Sequence, residues 1–332
     1  MKTTQIVLAS RPKGVPTVDN FRFEQLELPD TQAGEVRLKP MYYSVDPYMR
    51  GRMNDVKSYA PPYKIDKPIY GMVVANVTES KSDKFKSGDT VVGQLPWQQQ
   101  ITADSGLLKL IDKNVGSPSY YLDVLGMTGL TAYFGLIHIC KPKAGETVVV
   151  SGAAGAVGLV VGQIAKIHGC RVVGIAGSDE KIKLLVKKYG FDKAINYKIH
   201  TDMENRVADA CPSGVDIYFD NVGGEISDAV LGNLNVHARI ALCGQISLYN
   251  CTEIPMGPRL QPILLTKSAL MQGFLVSDYK TSFPEGMTQL AKWLKDDKLK
   301  GSETIFHGFD QLPAAFIGLF SGENTGKMMV EA

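Results

Sequence analysis

Glycines at 152, 155 and 158 punctuate the stretch Ser151-Gly152-Ala153-Ala154-Gly155-Ala156-Val157-Gly158. Before it runs Glu146-Thr147-Val148-Val149-Val150, a short β-branched strand. After it runs Leu159-Val160-Val161-Gly162-Gln163-Ile164-Ala165-Lys166, which reads as a buried helix. A strand, a glycine turn and a helix start together make an anion cradle. The first N–H groups of a helix lack partners and carry partial positive charge, which suits a pyrophosphate. Gly155 lets the backbone approach the phosphates, and Gly158 lets helix and strand pack closely. The pattern departs from G-x-G-x-x-G at its first position, where Ala153 stands and the glycine comes one step earlier. An ordinary strand-to-helix turn is the plainer alternative.

Tyrosine is the second residue type with chemistry to offer. A catalytic zinc needs three protein ligands with one position left open. The five histidines (His138, His168, His200, His237, His307) are scattered, and His138 and His168 fall on expected helices. No ligand trio presents itself, so the expectation is no metal. A phenol can instead donate a hydrogen bond to an oxyanion as it develops. Of fourteen tyrosines, two are marked out by position. Tyr48 lies in Ser44-Val45-Asp46-Pro47-Tyr48-Met49-Arg50, before a long Tyr-, Pro- and Lys-rich excursion over 54–68. Tyr249 follows the strand tip Cys243-Gly244-Gln245-Ile246-Ser247. Either could be the donor. The excursion is of a length often used as a lid or binding loop, with a mobile surface loop as the alternative.

The elements that must position these residues follow from periodicity. Phe21 to Leu28 and Glu35 to Lys39 alternate apolar with polar, and Tyr70 to Val77 and Lys86 to Val92 add further strands. Helical periodicity is nearly absent up to about residue 120, so this half is expected to be a small barrel-like β domain. Val124 to Leu136 then shows helical spacing. Strands are expected at 146–151, 171–176, 193–196, 215–220, 238–243 and 270–276, with helices at 156–168, 179–189, 202–210, 224–234 and 281–297. Such alternation implies a parallel sheet covered by helices on both faces. The tail returns to strands at 304–307 and 326–330, with a short helix at 312–320, and is expected to rejoin the first domain.

The second strand of the sheet, Arg171 to Ala176, ends in Gly177-Ser178, small and uncharged. An NAD-preferring sheet usually carries an acid there. Ser178 is a natural N-cap. Asp179 and Glu180 suit the helix dipole, whereas Lys181 opposes it. A cation beside a small tip suits a 2′-phosphate, which favours NADPH over NADH. A solvated surface lysine is the alternative. The tips Asp220-Asn221-Val222-Gly223-Gly224 and Cys243-Gly244-Gln245 permit close approach to a ribose or nicotinamide, or are turns and nothing more.

Composition bounds the partners. The 332 residues suffice for two domains, and 36 basic against 34 acidic residues leave a net charge of +2. No basic stripe interleaved with aromatics suggests a nucleic acid. Five cysteines without a C-x-x-C read as reduced thiols. Met1 to Val7 carries no signal-like apolar core, and no segment approaches membrane-spanning length. The expectation is a cytoplasmic protein with neither nucleic-acid nor membrane partners.

Seven motifs occur in order: Val45-Asp46-Pro47-Tyr48-Met49-Arg50, Gly126-Met127-Thr128-Gly129-Leu130-Thr131-Ala132-Tyr133, Ala153-Ala154-Gly155-Ala156-Val157-Gly158, Gly177-Ser178-Asp179-Glu180-Lys181, Asn196-Tyr197-Lys198, Phe219-Asp220-Asn221-Val222-Gly223-Gly224 and Asn324-Thr325-Gly326-Lys327. Together they resemble the zinc-independent alkene reductases of the medium-chain dehydrogenase/reductase superfamily, the group of prostaglandin, curcumin and plant double-bond reductases. The resemblance implies an α/β chain made of a GroES-like β-barrel substrate domain, 1–122 completed by 300–332, and a doubly wound Rossmann domain, 123–299, that binds NADPH. It implies a homodimer, for which the edge strand near 271–276 is the expected seam. It implies reduction of the C=C bond of a small α,β-unsaturated aldehyde or ketone.

By position, the resemblance assigns Ala154, Gly155, Ala156 and Val157 to the pyrophosphate. Gly177, Ser178, Lys181 and Tyr197 go to the 2′-phosphate end. Met127, Thr128, Asn221, Cys243, Gly244, Gln245, Ile246, Tyr249, Phe274, Leu275, Val276 and Asn324 line the rest of the groove. Tyr48 and Tyr249 face the substrate. Departures fall in the Cys251–Gln261 loop, in the 54–68 excursion and at Val276-Ser277-Asp278-Tyr279, where substrate choice is set. A quinone reductase on the same fold, and an NADPH-binding sensor without turnover, are the competing readings.

Overall fold

A computed structural model describes every residue except His200, Thr201 and Ile254. One of the histidines weighed above, and one position of the Cys251–Gln261 loop, therefore lie outside the described residues. The chain divides into two compact units, 1–122 with 303–332, and 123–302.

The first unit opens with β1 (Lys2–Leu8) and β2 (Phe21–Glu27), paired antiparallel. There follow β3 (Glu35–Ser44), α1 (Tyr48–Arg52), β4 (Tyr70–Ser80), β5 (Thr90–Pro96), β6 (Ile101–Asp104) and β7 (Leu108–Leu110). β4 runs along one edge of β3, whose other edge is shared by two partners. Glu35–Leu38 pairs with β6, and Tyr42–Ser44 with a strand from the far end of the chain. The register shifts next to Pro40, which has no N–H to give a ladder. Trp97, Tyr43, Phe21 and Phe316 are buried at the centre of this unit.

Most of the 54–68 excursion has no helix or strand, yet it is tied down. Tyr63 is buried and donates from its hydroxyl to the Tyr70 carbonyl at 2.6 Å. Asp66 N–H donates to the Leu8 carbonyl, and Leu8 N–H to that of Lys67.

The second unit contains α2 (Met127–Phe134), β8 (Thr147–Ser151), α3 (Ala156–Ile167), β9 (Arg171–Ala176), α4 (Asp179–Tyr189), β10 (Lys193–Asn196), α5 (Met203–Ala210), β11 (Val215–Asp220), α6 (Gly224–Leu231), β12 (Leu234–Leu242), α7 (Gln261–Lys267), β13 (Leu270–Gly273) and α8 (Phe283–Lys295). Among the described residues, the strands form one parallel sheet in the order β10-β9-β8-β11-β12-β13. This is the doubly wound Rossmann order, with the switch point beside β8. Val149, Val173, Tyr218 and Ile240 bury one side of it beneath α5 and α6.

Several bounds differ from the sequence expectation. The helix expected from Val124 begins only at Met127, and a π-helical turn, Gly135–Cys140, follows it and stops at Lys141 with φ +48°. α6 ends at Leu231, and β12 starts at Leu234 rather than 238. β12 is irregular at its start: Val215 faces Leu234 but Ile217 faces Arg239, and His237 has φ +65°. That bulge breaks the alternation a sequence reading relies on. β13 ends at Gly273, and 276–282 is a 3₁₀ segment. The chain then returns to the first unit as β14 (Glu303–His307), α9 (Leu312–Ser321) and β15 (Lys327–Glu331), the last being the strand that pairs with Tyr42–Ser44 of β3.

Candidate active site

The carboxyl edge of the parallel sheet gathers most of the candidate groove residues. At the end of β8, Gly152 takes φ +59°, a conformation that disfavours any side chain. The tight turn therefore falls on Gly152, one residue before the usual place. Ala153 is fully buried at that usual place and is tolerated because β9 presents Gly174 opposite. A Cβ on Gly174 would come 2.9 Å from the Ala153 Cβ. The side chain gained at one position is matched by a side chain missing at the other.

Gly155 is the N-cap of α3 and makes no side-chain cap. No side-chain cap therefore occupies the first N–H groups of α3, from Ala156 and Val157. Gly158 leaves no space: its Cβ would sit 2.4 Å from the Gly152 carbonyl oxygen and 2.8 Å from Ala153 Cα. Helix and turn touch through backbone. Such a cradle fits a dinucleotide pyrophosphate.

At the tip of β9, Ser178 caps α4, its Oγ accepting from Lys181 N–H at 3.3 Å. The Tyr197 ring lies against Gly177, where a Cβ would meet its hydroxyl at 3.0 Å. Lys181 is half-buried, and its ammonium pKa is lowered by burial and by neighbouring Lys198. Asp179 is engaged by Asn196, whose Nδ2 donates to it at 2.8 Å. Glu180 is held below its ordinary pKa by its own backbone N–H and by Ser178. Gly177, Ser178, Lys181 and Tyr197 thus cluster beside a second cation, Lys198, which the sequence reading left without a role. Its signal was its place in Asn196-Tyr197-Lys198.

The tips of β8, β11 and β12 meet at Asp220, fully buried. Its Oδ1 accepts from Ser151 Oγ (2.9 Å), Tyr218 Oη (2.8 Å), Val222 N–H (3.0 Å) and Gly223 N–H (2.9 Å). Its carbonyl oxygen accepts from Cys243 and Gly244 N–H. Asn221 donates from N to Ser151 Oγ and from Nδ2 to the Ser151 carbonyl. The sequence reading assigns Asp220 no task; an acid closing the apolar run Ile217-Tyr218-Phe219 is the signal that marks it.

Tyr249 folds back over the β12 tip. Its hydroxyl accepts from Gln245 N–H at 3.3 Å and lies 3.2 Å from where a Gly244 Cβ would stand. An oxygen that accepts from backbone keeps its own proton to donate elsewhere. Burial raises the phenol pKa above 10.0, so it is protonated at neutral pH. The Cys243 thiol is pushed up to about 12 by burial and by Asp220, and stays neutral. Ile246 opens the short turn that carries Tyr249.

Met127 and Thr128 begin α2, with Thr128 Oγ1 donating to the Asp123 carbonyl. Phe274 follows β13, its ring edge-on to Phe219 with centroids 6.3 Å apart, and Leu275 N–H donates to Asp278. Val276 opens the 3₁₀ segment. Two candidates belong to the other unit. Tyr48 is the first residue of α1, half-buried, its pKa raised well above 10.0 by burial and by Asp46. Asn324 lies just before β15, donating from Nδ2 to the Gly326 carbonyl. Among the described residues no group of three or more His, Cys, Asp or Glu gathers as metal ligands.

A glycine cradle at the head of a 3-2-1-4-5-6 sheet, a paired cation site at the next strand tip and a second, mostly antiparallel unit define a two-domain, dinucleotide-binding oxidoreductase. Comparison with known proteins narrows the class. The family model described as the N-terminal domain of oxidoreductase matches residues 4–111, and that described as zinc-binding dehydrogenase matches 156–293. YfmJ of Bacillus subtilis, by name an NADP-dependent oxidoreductase, is 56% identical over 98% of this chain and 97% of its own. The NADPH-dependent curcumin reductase of Escherichia coli is 45% identical over 98% and 95%. The crystal structure of CurA from Vibrio vulnificus in complex with NADPH superposes with a TM-score of 0.94 at 45% identity, covering 99% of each chain. The chain belongs to the zinc-independent alkene reductase branch of the medium-chain dehydrogenase/reductase superfamily, with a GroES-like and a Rossmann domain.

Proposed function

We propose that this protein is an NADPH-dependent reductase of the C=C bond of α,β-unsaturated aldehydes and ketones. The observation that carries the reading is Tyr249: a half-buried, protonated phenol at the sheet's carboxyl edge, accepting from the Gln245 N–H and keeping its own hydrogen to donate. The names of the curcumin, alkenal and prostaglandin reductases to which the chain is similar support the reaction class.

The unit 123–302 is the NADPH-binding domain in this reading, and 1–122 with 303–332 the substrate domain. Ala154 to Val157 hold the pyrophosphate through backbone N–H groups. Lys181, Tyr197 and Ser178 hold the 2′-phosphate, and Met127, Thr128, Asn221, Cys243 to Ile246, Phe274 to Val276 and Asn324 line the remaining groove. NADPH, when bound, supplies the hydride for the substrate β-carbon. Tyr249 or Tyr48 donates a hydrogen bond to the carbonyl oxygen as negative charge develops there. The α-carbon then takes its proton from tyrosine or solvent. The protein works as a homodimer, joined through β13, whose outer edge has no partner strand among the described residues.

The test is NADPH oxidation with a panel of enones, enals and quinones, in the native enzyme and in Tyr48→Phe and Tyr249→Phe. Turnover of enones and enals that falls in one or both variants is expected. Turnover of quinones alone would replace the reading with a quinone reductase. NADPH binding without oxidation of any panel member would replace it with a sensor.

A further inference from the structure

Of Asn324-Thr325-Gly326-Lys327, one of the motifs that carry the resemblance, the reading above gives a task only to Asn324. Lys327 opens β15 and is 2% exposed, a rare place for an ammonium. The ladder explains its partner. Met329 pairs with Ser44 in an antiparallel register, so two steps back Lys327 stands across from Asp46, just past the end of β3. Lys327 Nζ donates to Asp46 Oδ1 at 2.9 Å and to the Val45 carbonyl at 2.8 Å. The Ser44 hydroxyl donates to the other carboxylate oxygen of Asp46. Asp46 is 3% exposed and Ser44 2%, so the pair is closed off from water.

Asp46 also begins the turn that presents Tyr48. Its carbonyl accepts from Met49 N–H at 3.0 Å, and Pro47 accepts from Arg50 N–H at 3.1 Å, which starts α1 at Tyr48. On the other side, Arg50 donates to the Gly14 carbonyl at 2.9 Å and to Asn54 Oδ1 at 2.7 Å. A five-residue helix has little stability of its own. Its direction is set by what clamps its ends. The clamp at the tyrosine end is an ion pair between residues 281 apart in sequence.

We propose that Lys327 and Asp46 are positioning residues for Tyr48, a buried ion pair that fixes the Val45–Tyr48 turn and so aims the phenol. The pair touches no reacting atom; it acts through the tyrosine. Burying two charges is costly and is repaid only with good geometry and extra hydrogen bonds, which this pair has on both partners. The inference rests on Tyr48 serving as a donor in the proposed reaction.

The experiment is a double-mutant cycle in the full-length enzyme with Lys327→Met, Tyr48→Phe and the pair, measuring kcat and KM for an enone, the Kd of NADPH by fluorescence, and Tm. Displacing a reacting group by an ångström costs on the order of a hundredfold, so Lys327→Met is expected to lower kcat at least roughly tenfold where Tyr48 is present. In the Tyr48→Phe background the same change should cost less than about twofold, and the NADPH Kd should move little. Equal losses in both backgrounds, or a weakened NADPH Kd that accounts for the loss, would overturn the positioning role. Tyr48→Phe with intact kcat would instead remove Tyr48 from the chemistry, and the positioning role with it. If Lys327→Met does not fold, Asp46→Asn takes its place. It keeps the side-chain shape, and the same coupling criterion applies.

Discussion

The Ser151 hydroxyl donates to Asp220 Oδ1 at 2.9 Å and accepts from Asn221 N–H at 2.9 Å, joining the tips of β8 and β11 across 69 residues of sequence. With Cys243 and Gly244 N–H on the Asp220 carbonyl, one buried acid holds three strand tips in register. Its second carboxylate oxygen is buried without a hydrogen-bond partner among the described residues, so the donors converge on one side. Removing either end of the Ser151–Asp220 link leaves buried groups unsatisfied. Ser151→Ala is expected to destabilise by about 1–3 kcal/mol and Asp220→Ala by about 3 kcal/mol or more. Urea unfolding reads the stability, and fluorescence titration should show weaker NADPH binding. Wild-type stability in Asp220→Ala would refute the hub.

Gly158 carries the close approach of α3 to its turn. Gly158→Ala is expected to cost about 3 kcal/mol, at the upper end of overpacking, because the obstructing atoms are backbone. Gly51→Ala, with nothing within 4 Å of the new Cβ, is the control and should leave Tm unchanged or slightly raised. Equal Tm values for the two variants would contradict the packing account.

Lys181 tests cofactor choice. A charge-assisted hydrogen bond to phosphate contributes about 1.5–3 kcal/mol, so Lys181→Ala should reduce kcat/KM for NADPH by about ten- to a hundredfold. With NADH, which lacks the 2′-phosphate, the change should stay within about twofold. Steady-state kinetics with both cofactors decide it. Parallel losses would show that Lys181 supports the fold rather than the phosphate.

The proposed tyrosine donors predict a pH dependence. Burial disfavours the charged phenolate, so the folded-state pKa values of Tyr48 and Tyr249 lie above 10.0 and both protons persist through neutral and mildly alkaline pH. A group that acts protonated loses activity only as pH rises through its raised pKa. The kcat profile should therefore stay flat up to about pH 10. Removing the donor hydroxyl by Phe substitution should raise the barrier by about 2.7–4 kcal/mol, by analogy with oxyanion-hole donors. An alkaline limb well below pH 10 that disappears in Tyr249→Phe would contradict the burial argument.

Much of the second unit was legible in local sequence. Strands at 171–176, 193–196 and 215–220 and the helix at 179–189 coincide with β9, β10, β11 and α4, because buried parallel strands are short β-branched runs and Ser178 is a cap readable from one residue. The Gly177–Lys181 cluster was legible too, since its members are near neighbours in chain or motif. β12 begins four residues before the expected 238, where a bulge at His237 breaks the alternation, and β13 stops at Gly273, three residues short of the expected 276, at the edge of the sheet.

What the sequence by itself determined is the set of elements and the side chains available: a glycine cradle, a cation at an uncharged strand tip, and tyrosines able to donate a hydrogen bond. Propensity, capping and hydrophobic period are properties of a few adjacent residues, and they can be read there. What only the tertiary structure decided is pairing at long range. Ala153 is allowed by Gly174, Asp220 is satisfied by Ser151, and Lys327 is neutralised by Asp46. Each depends on strand register, which is set when whole faces are buried together and leaves no local trace in either partner.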